Sequence, residues 1–216
     1  MRRSVAWLAG NHLTLRALEL SRHSEPGVLE ELMEALRSFS DAQDLSRELL
    51  GQLPEETDWR DHADAHTGAL FAFCCRVGGH LGGAPTRQLT ALGRYGRHLG
   101  RLWHVAEDVS ALEHGEPALH LVARARGGRP VLPVIRAAPL DHEVGPAWCQ
   151  LAVQPDPGEA RLLARRVSRA GLGPSREAML RESWLARRAL APLPDSPYRQ
   201  AMQGFVMQLV RAFVRG

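Results

Sequence analysis

Residues 86–113, TRQLTALGRYGRHLGRLWHVAEDVSALE, decide the fold because this stretch is long, contains no proline and is apolar along one side. The apolar side chains recur at helical spacing, namely Leu89, Leu92, Tyr95, Leu99, Leu102, Val105 and Val109. Such a stripe predicts one amphipathic helix over 86–113 that buries the striped face. A helix of this length needs other elements to cover it, and the flanking sequence indicates which elements these are.

The flanking segments are helical in pattern as well. We expect helices over 4–22 and 26–50, from Asp64 to the glycines at 78–83, and over 159–170, 175–191 and 196–215. Ser24 and Ser175 are the expected caps of the helices that follow them, and Gly171 to Pro174 is the expected break between two helices.

Three stretches predict no long helix. Residues 51–59 and 115–130 read as loops, and residues 139–157 are rich in proline with little periodicity. The short apolar run Val131–Ile135 favours a helix start over a strand, because its neighbours are helical. No strand-like alternation occurs, so the sequence predicts an all-α bundle of about eight helices in a single domain over residues 1–216.

Composition excludes several classes of function. All 27 basic residues are arginine, so no lysine is available for a Schiff base or a phosphate clamp. The net charge of +3 is too small to indicate nucleic-acid binding by itself. The cysteines Cys74, Cys75 and Cys149 form no disulfide framework, and the first two are expected to fill core space. We expect a cytoplasmic protein with no transmembrane segment.

Six blocks, in this order along the chain, resemble the trans-isoprenyl diphosphate synthases. They are GNHLTLRALEL at 10–20, ALRSFSDAQ at 35–43, HTGALF at 66–71, YGRHLGRLWHVAED at 95–108, GRPVLP at 128–133 and LAPLPDS at 190–196. No single block is specific, but their order and spacing together indicate the family. The resemblance implies an isoprenoid-synthase-type helical bundle.

The resemblance also implies a chemistry. Members of this family join an allylic diphosphate to isopentenyl diphosphate, using two aspartate-rich motifs that hold Mg²⁺ across a cavity. Magnesium favours carboxylate oxygens, so Glu107 and Asp108, at the position of the second motif, are the candidate metal ligands. Because adjacent helical positions point about 100° apart, we expect at most one of the two to face the cavity. The candidate diphosphate contacts are His66, Thr67, His104 and Arg129, and Gln43 is a further site position.

Several positions depart from the family pattern. No DDxxD sequence occurs, and the resemblance starts at the family's fifth helix, so we expect a bundle that lacks the family's N-terminal helices. His66 stands at a family lysine, His104 at a glutamine and Glu116 at another lysine, whereas Arg129 keeps the charge of the last lysine. A desolvated charged contact contributes about 2–5 kcal/mol. Losing four such contacts would slow the reaction by roughly 10⁶ even at the lower figure.

Three functions remain open on the sequence. The favoured one is a catalytically degenerate, regulatory subunit that dimerises with itself or with a full-length synthase, through the helices over 4–22 and 26–50. The second is a residual Mg²⁺-dependent prenyltransferase or prenyl-diphosphate binder, and Mg²⁺ is expected only if such binding persists. The third is a scaffold recruited to an unrelated assembly. His62 and His66, four residues apart, could share a face as metal ligands, but two polar residues without a ligand are favoured.

Overall fold

A computed structural model describes residues 2–25 and 27–215 of the chain. Within these ranges the protein is helical and contains no strand, which confirms the all-α class. The helices are α1 (Arg2–Arg22), α2 (Val28–Glu48), α3 (Glu56–Ala63), α4 (Ala69–Leu81), α5 (Thr86–Glu113), α6 (Pro117–Arg126), α7 (Leu132–Ala137), α8 (Val144–Val153), α9 (Pro157–Ala189) and α10 (Pro197–Arg215). A π-helical segment, Asp64–Gly68, joins α3 to α4. None of these described helices is both long enough and apolar enough to cross a membrane.

Helix α5 lies at the centre of the bundle, between α4 and α9. The second half of its apolar stripe is fully buried, with Leu102, Val105 and Val109 inaccessible to solvent. Helix α4 approaches closely because α5 presents glycine there: a Cβ at Gly96 would lie 2.5 Å from the Cα of Ala72. The prediction of one helix over 86–113 is therefore confirmed.

The expected break at 171–174 is wrong, because α9 runs through it without interruption. Pro174 removes one backbone donor, but Gly173 before it has no Cβ to clash with the pyrrolidine ring. Gly171 packs directly on α7, where an added Cβ would lie 1.9 Å from the Pro133 carbonyl oxygen. Ser175 does not cap a helix; its hydroxyl donates to the Gly171 carbonyl at 2.7 Å. Packing on α5 and α7 keeps the helix continuous where local propensity predicts an end.

The three segments read as loops contain helices. Helix α3 begins at Glu56 rather than near Asp64, and Glu55 and Asp58 form a capping box at its start. Helix α6 begins with Pro117 at its first turn, where the missing N–H has no partner to lose. Helix α8 contains Pro146 in its first turn for the same reason. These helices are short, so each offers too few apolar repeats for periodicity to reveal it.

Two smaller expectations also fail. Ser24 does not cap α2, since its hydroxyl donates back to the Leu20 carbonyl and Gly27, with φ of 94°, occupies the cap position. Cys74 is exposed rather than part of the core, whereas Cys75 packs against the core.

Helix α1 leaves its apolar side chains in solvent. Val5, Trp7, Leu8, Leu13, Leu15 and Leu20 are each 60–68% exposed. Among the described elements α1 packs against α2 only. An exposed apolar surface of this extent is typical of a protein–protein interface.

Candidate functional site

A cavity of about 580 Å³ opens between the second half of α5, α6, the π-helical segment and the end of α10. Its lining is rich in groups that can carry positive charge. The lining residues are His66, Glu107, Ser110, Ala111, His114, Gly115, His120, Ala123, Arg124, Arg129 and Phe213, and we call this site the histidine–arginine cavity. Glu107 is the one carboxylate among them. The cavity therefore suits an anion better than a cation.

Local structure explains how the cationic side chains reach the cavity. His120 and Arg124 are four residues apart on α6, so they share one helix face. Gly128 adopts a φ of 61°, and any Cβ there would collide with the Ser46 carbonyl of α2. Glycine thus lets the loop lie against α2 and places Arg129 at the rim of the cavity.

Asp108 is buried beneath the cavity and contacts two side chains of α6, Arg124 and His120. Its side chain is 0% exposed, and its Oδ1 lies 3.2 Å from a guanidinium nitrogen of Arg124 and 3.0 Å from Nε2 of His120. Burial alone would raise the pKa of Asp108, but Arg124 and the hydrogen bond with His120 hold that pKa below its usual range. The ionised form of Asp108 is therefore favoured, with Oδ1 paired to Arg124 while the buried Oδ2 has no hydrogen-bond partner.

Glu107, the neighbour of Asp108, lines the cavity, and its carboxylate approaches the same guanidinium nitrogen of Arg124. Its side chain is 44% exposed in the cavity, and its Oε2 lies 3.6 Å from Arg124. Arg124 therefore bridges the two acidic residues that resemble the family's second motif. The guanidinium occupies the space between carboxylates that a metal ion would otherwise share.

Three histidines form the floor behind the cavity. The rings of His62, His66 and His104 have centroids 5.5–6.4 Å apart. Nε2 of His62 lies 3.1 Å from the Ser46 hydroxyl, whereas Nδ1 of all three rings and Nε2 of His104 have no hydrogen-bond partner. The cluster is contributed by α3, the π-helical segment and α5, which converge at this point.

The histidine cluster is neutral at physiological pH. Burial, together with the neighbouring histidines and arginines, lowers the pKa of His62 to about 3. Burial likewise lowers the pKa of His104 to about 4, although Asp108 opposes this shift. Burial, Arg129 and Arg124 lower the pKa of His66. These imidazoles therefore do not replace the positive charge of a lysine.

The residues selected from the sequence occupy different positions around the site. His66, Glu107 and Arg129 line the cavity, whereas Asp108 and His104 are buried behind it. Thr67 is half-buried in the π-helical segment, where its hydroxyl donates to the Ala63 carbonyl at 3.2 Å. Gln43 is half-buried on α2 and does not line the cavity.

Sequence reasoning missed His120 and Arg124, the two residues that hold the pKa of Asp108 below its usual range. Residues 115–130 read as a loop, so the shared helix face of these two side chains was not evident. The available signal was Pro117 at a helix start, followed by Leu121 and Ala125, which are both buried and four residues apart.

Comparisons with known proteins show similarity to prenyl diphosphate synthases. No family model matches the chain. The sequence is 26% identical over 221 residues to a nonaprenyl diphosphate synthase from Mycobacterium tuberculosis, a match that covers 94% of this chain and 62% of that protein. A decaprenyl diphosphate synthase from Rhodobacter capsulatus matches with a TM-score of 0.75 and 26% identity, over 86% of this chain and 59% of its own.

More distant structures share the fold. A geranylgeranyl pyrophosphate synthase from Bacteroides thetaiotaomicron matches with a TM-score of 0.84 at 17% identity, covering 96% of this chain and 71% of that one. The sequence and structural matches together support membership of the trans-isoprenyl diphosphate synthase family. The chain spans 62% and 59% of the lengths of the two prenyl diphosphate synthases that it matches at 26% identity.

The family implies Mg²⁺, and the residues present do not fit it. Asp108 is bound by Arg124 and His120, which leaves Glu107 as the one carboxylate that lines the cavity. Within the described residues no group of three or more histidine, cysteine, aspartate or glutamate side chains is arranged to hold a metal ion. A site with one carboxylate beside a guanidinium is a poor ligand set for a hard divalent cation.

Proposed function

We propose that this chain is a catalytically degenerate, regulatory subunit that pairs with itself or with a full-length prenyl diphosphate synthase. The observation that carries the proposal is the buried ion pair of Asp108 with Arg124. Asp108, which the resemblance places in the metal-binding motif, instead compensates the positive charge of Arg124. For Asp108 to bind a metal ion, it would have to give up its pairing with Arg124, and that guanidinium would then lie beside the added positive charge of the metal.

The rest of the site supports the same interpretation. His66 and His104 stand at positions where the family resemblance implies lysine and glutamine, and both histidines are neutral. A neutral imidazole provides little electrostatic stabilisation for a departing diphosphate.

The exposed surface of α1 supports the association part of the proposal. Its leucines and Trp7 cannot remain in water without cost, since burial of apolar surface contributes about 25 cal/mol per Å². Helix α2 leaves Met33 and Phe39 exposed. A second helical surface of similar character, either from another copy or from a related synthase, is the partner that best fits these two helices.

A product assay tests the degeneracy. The purified chain is incubated with Mg²⁺, isopentenyl diphosphate and geranyl or farnesyl diphosphate, and extracted prenyl products are quantified by mass spectrometry. We expect no product above the protein-free control, with a full-length prenyl diphosphate synthase as the positive control. Product formation that Asp108→Asn abolishes would contradict the proposal.

The regulatory role has its own test. A full-length synthase from the same organism is assayed with and without an equimolar amount of this chain, and the two are co-purified through a tag on one of them. We expect a stable complex and a changed rate or product length. If the chain forms no dimer with itself and no complex with the synthase at micromolar concentration, the association proposal is wrong.

A second candidate function is prenyl-diphosphate binding without turnover, and Arg129 favours it. Within the described residues Arg129 makes no ion pair, and it lines the histidine–arginine cavity. A diphosphate there would gain charge-assisted hydrogen bonds from the guanidinium. Calorimetric titration with geranyl diphosphate in EDTA would show binding that Arg129→Gln weakens by about tenfold, and no heat with the unmodified chain would dismiss this candidate.

A further inference from the structure

A second cavity, of about 570 Å³, lies at the opposite end of α5 from the histidine–arginine cavity. It is formed between the first turns of α5 and the C-terminal end of α9. Three arginines, Arg87, Arg94 and Arg188, line it, and no carboxylate does. We call this site the basic groove.

The three arginines of the basic groove lie on two helices that face each other, α5 and α9. Arg87 and Arg94 are seven residues apart on α5, with Ala91 between them, so the three residues follow one helix face. Helices α5 and α9 run antiparallel, since Glu113 contacts Arg176 and His98 contacts Glu182. The start of α5 therefore meets the end of α9, where Arg188 lies.

The arginines of the basic groove have no acidic partners. Within the described part of the chain no ion pair involves Arg87, Arg94 or Arg188, in contrast to Arg124, which is bound to Asp108. Arg188 is held instead by the Trp184 ring, with its guanidinium carbon 4.9 Å from the ring centroid. His98 is fixed by its Nδ1, which lies 2.7 Å from Glu182. Three guanidinium groups around one cavity repel one another until an anion joins them.

We propose that the basic groove binds a small molecule that carries two or more phosphate oxygens on an apolar body. Guanidinium groups match phosphate geometry with paired hydrogen bonds, and three of them favour a multiply charged group over a carboxylate. The remaining wall is apolar, formed by residues such as Ala91, Leu185 and Pro192. This site is separate from the histidine–arginine cavity and does not depend on the function proposed for it.

The shared chemistry is the phosphate group, which can come from a free polyphosphate or from an amphiphile headgroup. Isothermal titration calorimetry with inorganic pyrophosphate and with monododecyl phosphate, each below its aggregation limit, separates these sources. We expect both to bind, with the amphiphile tighter because the apolar wall is used. Binding of pyrophosphate alone would show that the apolar wall is not used and would overturn the proposal, as would binding of neither probe.

Variants locate the binding. Arg94→Gln and Arg188→Gln should each weaken binding of the better probe by about tenfold, because each removes charge-assisted hydrogen bonds. Arg126→Gln on α6 is the matched control, an exposed arginine that lines neither cavity, and it should leave the affinity unchanged. Circular dichroism confirms that each variant is folded. Loss of binding in Arg129→Gln but not in Arg94→Gln would place the ligand in the other cavity and overturn the proposal.

A measurement on the unmodified protein covers the case in which a variant does not fold. Phenylglyoxal modifies accessible arginines, and peptide mass spectrometry reports the extent at each position. We expect the better probe to protect Arg87, Arg94 and Arg188 and to leave Arg126 reactive. Protection confined to Arg124 and Arg129, or protection at no arginine, would overturn the proposal.

Discussion

Single residues decide what the histidine–arginine cavity can bind. The family resemblance assigns Asp108 to a metal-binding motif, yet its Oδ1 is already paired with Arg124 and hydrogen-bonded to His120, both from α6. Behind it, buried imidazoles with unpartnered ring nitrogens replace the polar groups expected of a diphosphate site. Charge inside a protein is stable only when it is paired, so the partner of Asp108 determines its role more than its position in the sequence does.

The Asp108–Arg124 pair predicts a large stability effect. Arg124→Met should lower the free energy of unfolding by about 3 kcal/mol, because it leaves a buried carboxylate with His120 as its one remaining partner. Urea denaturation followed by circular dichroism measures this change. Arg126→Met, on the same helix but exposed, should change stability by less than about 0.5 kcal/mol. The double variant Arg124→Met/Asp108→Asn should recover part of the loss, and an unchanged stability in Arg124→Met would refute the pair's importance.

The histidine cluster predicts a dependence of stability on pH. The pKa values of His62 and His104 in the folded protein, about 3 and about 4, lie below the 6.5 of a free histidine. Between pH 6.5 and about 4 the unfolded chain therefore binds protons that the folded chain does not. The free energy of unfolding should fall as pH falls through this window, by up to about 1.4 kcal/mol per pH unit for each histidine.

Urea denaturation at pH 7.5, 6 and 5 measures this slope. His104→Gln should reduce it, since one of the three lowered histidine pKa values of the cluster is removed. Asp108 contributes in the same direction but at lower pH, because its pKa in the folded state is below its usual range. An identical slope in His104→Gln would show that the cluster is not responsible.

At the scale of elements, close contacts between helices determine where helices end. Helix α9 continues through Gly171 and Pro174 because its buried face packs against α5 and α7 on both sides of these residues. Gly171 lies so close to Pro133 that it is a contact point between α9 and α7 rather than a helix stop. In an isolated peptide of this sequence, the low helix propensity of the glycines and the proline would favour an end of the helix here.

This contact predicts opposite effects of alanine at two helical glycines. Gly171→Ala should destabilise the protein by about 2 kcal/mol or more, because its Cβ would collide with the backbone of Pro133. Gly204→Ala, in α10 with no atom within 4 Å of the added Cβ, should stabilise it by about 0.5–1 kcal/mol. Thermal denaturation of the two variants in parallel gives the comparison. If both shift the melting temperature in the same direction, the proposed α9–α7 contact is not tight.

For the whole molecule, the exposed side of α1 is the feature that a single folded chain leaves unexplained. Six apolar side chains spread along this helix are 60–68% exposed, and α2, against which α1 packs, leaves Met33 and Phe39 exposed. This distribution supports association, and no residue of α1 lines the histidine–arginine cavity. Pairing and ligand binding should therefore be separable by mutation.

Charged substitutions on α1 test the association. The unmodified chain should sediment as a dimer at micromolar concentration, or as a complex with its synthase partner. Leu13→Arg/Leu20→Arg should shift it toward monomer by more than about tenfold in dissociation constant, since two charges would be buried in the interface. Leu140→Arg, equally exposed but outside α1 and α2, is the matched control and should have no effect. A dimer that persists in the α1 variant would place the interface elsewhere.

The sequence by itself determined the all-α class, the central helix over 86–113, and the order of blocks that resembles the trans-isoprenyl diphosphate synthases. It also indicated which residues surround the site, including His66, Glu107 and Arg129. These features depend on periodicity and on local patterns, which are present in the chain before it folds.

Only the tertiary structure decided that α9 is one helix, that His62 joins His66 and His104, and that Arg124 neutralises Asp108. Arg124 is 16 positions from Asp108 and on another helix, so no local pattern connects them. Whether a buried carboxylate binds a metal or an arginine depends on which opposite charge packing brings nearest, and packing is a property of the whole fold.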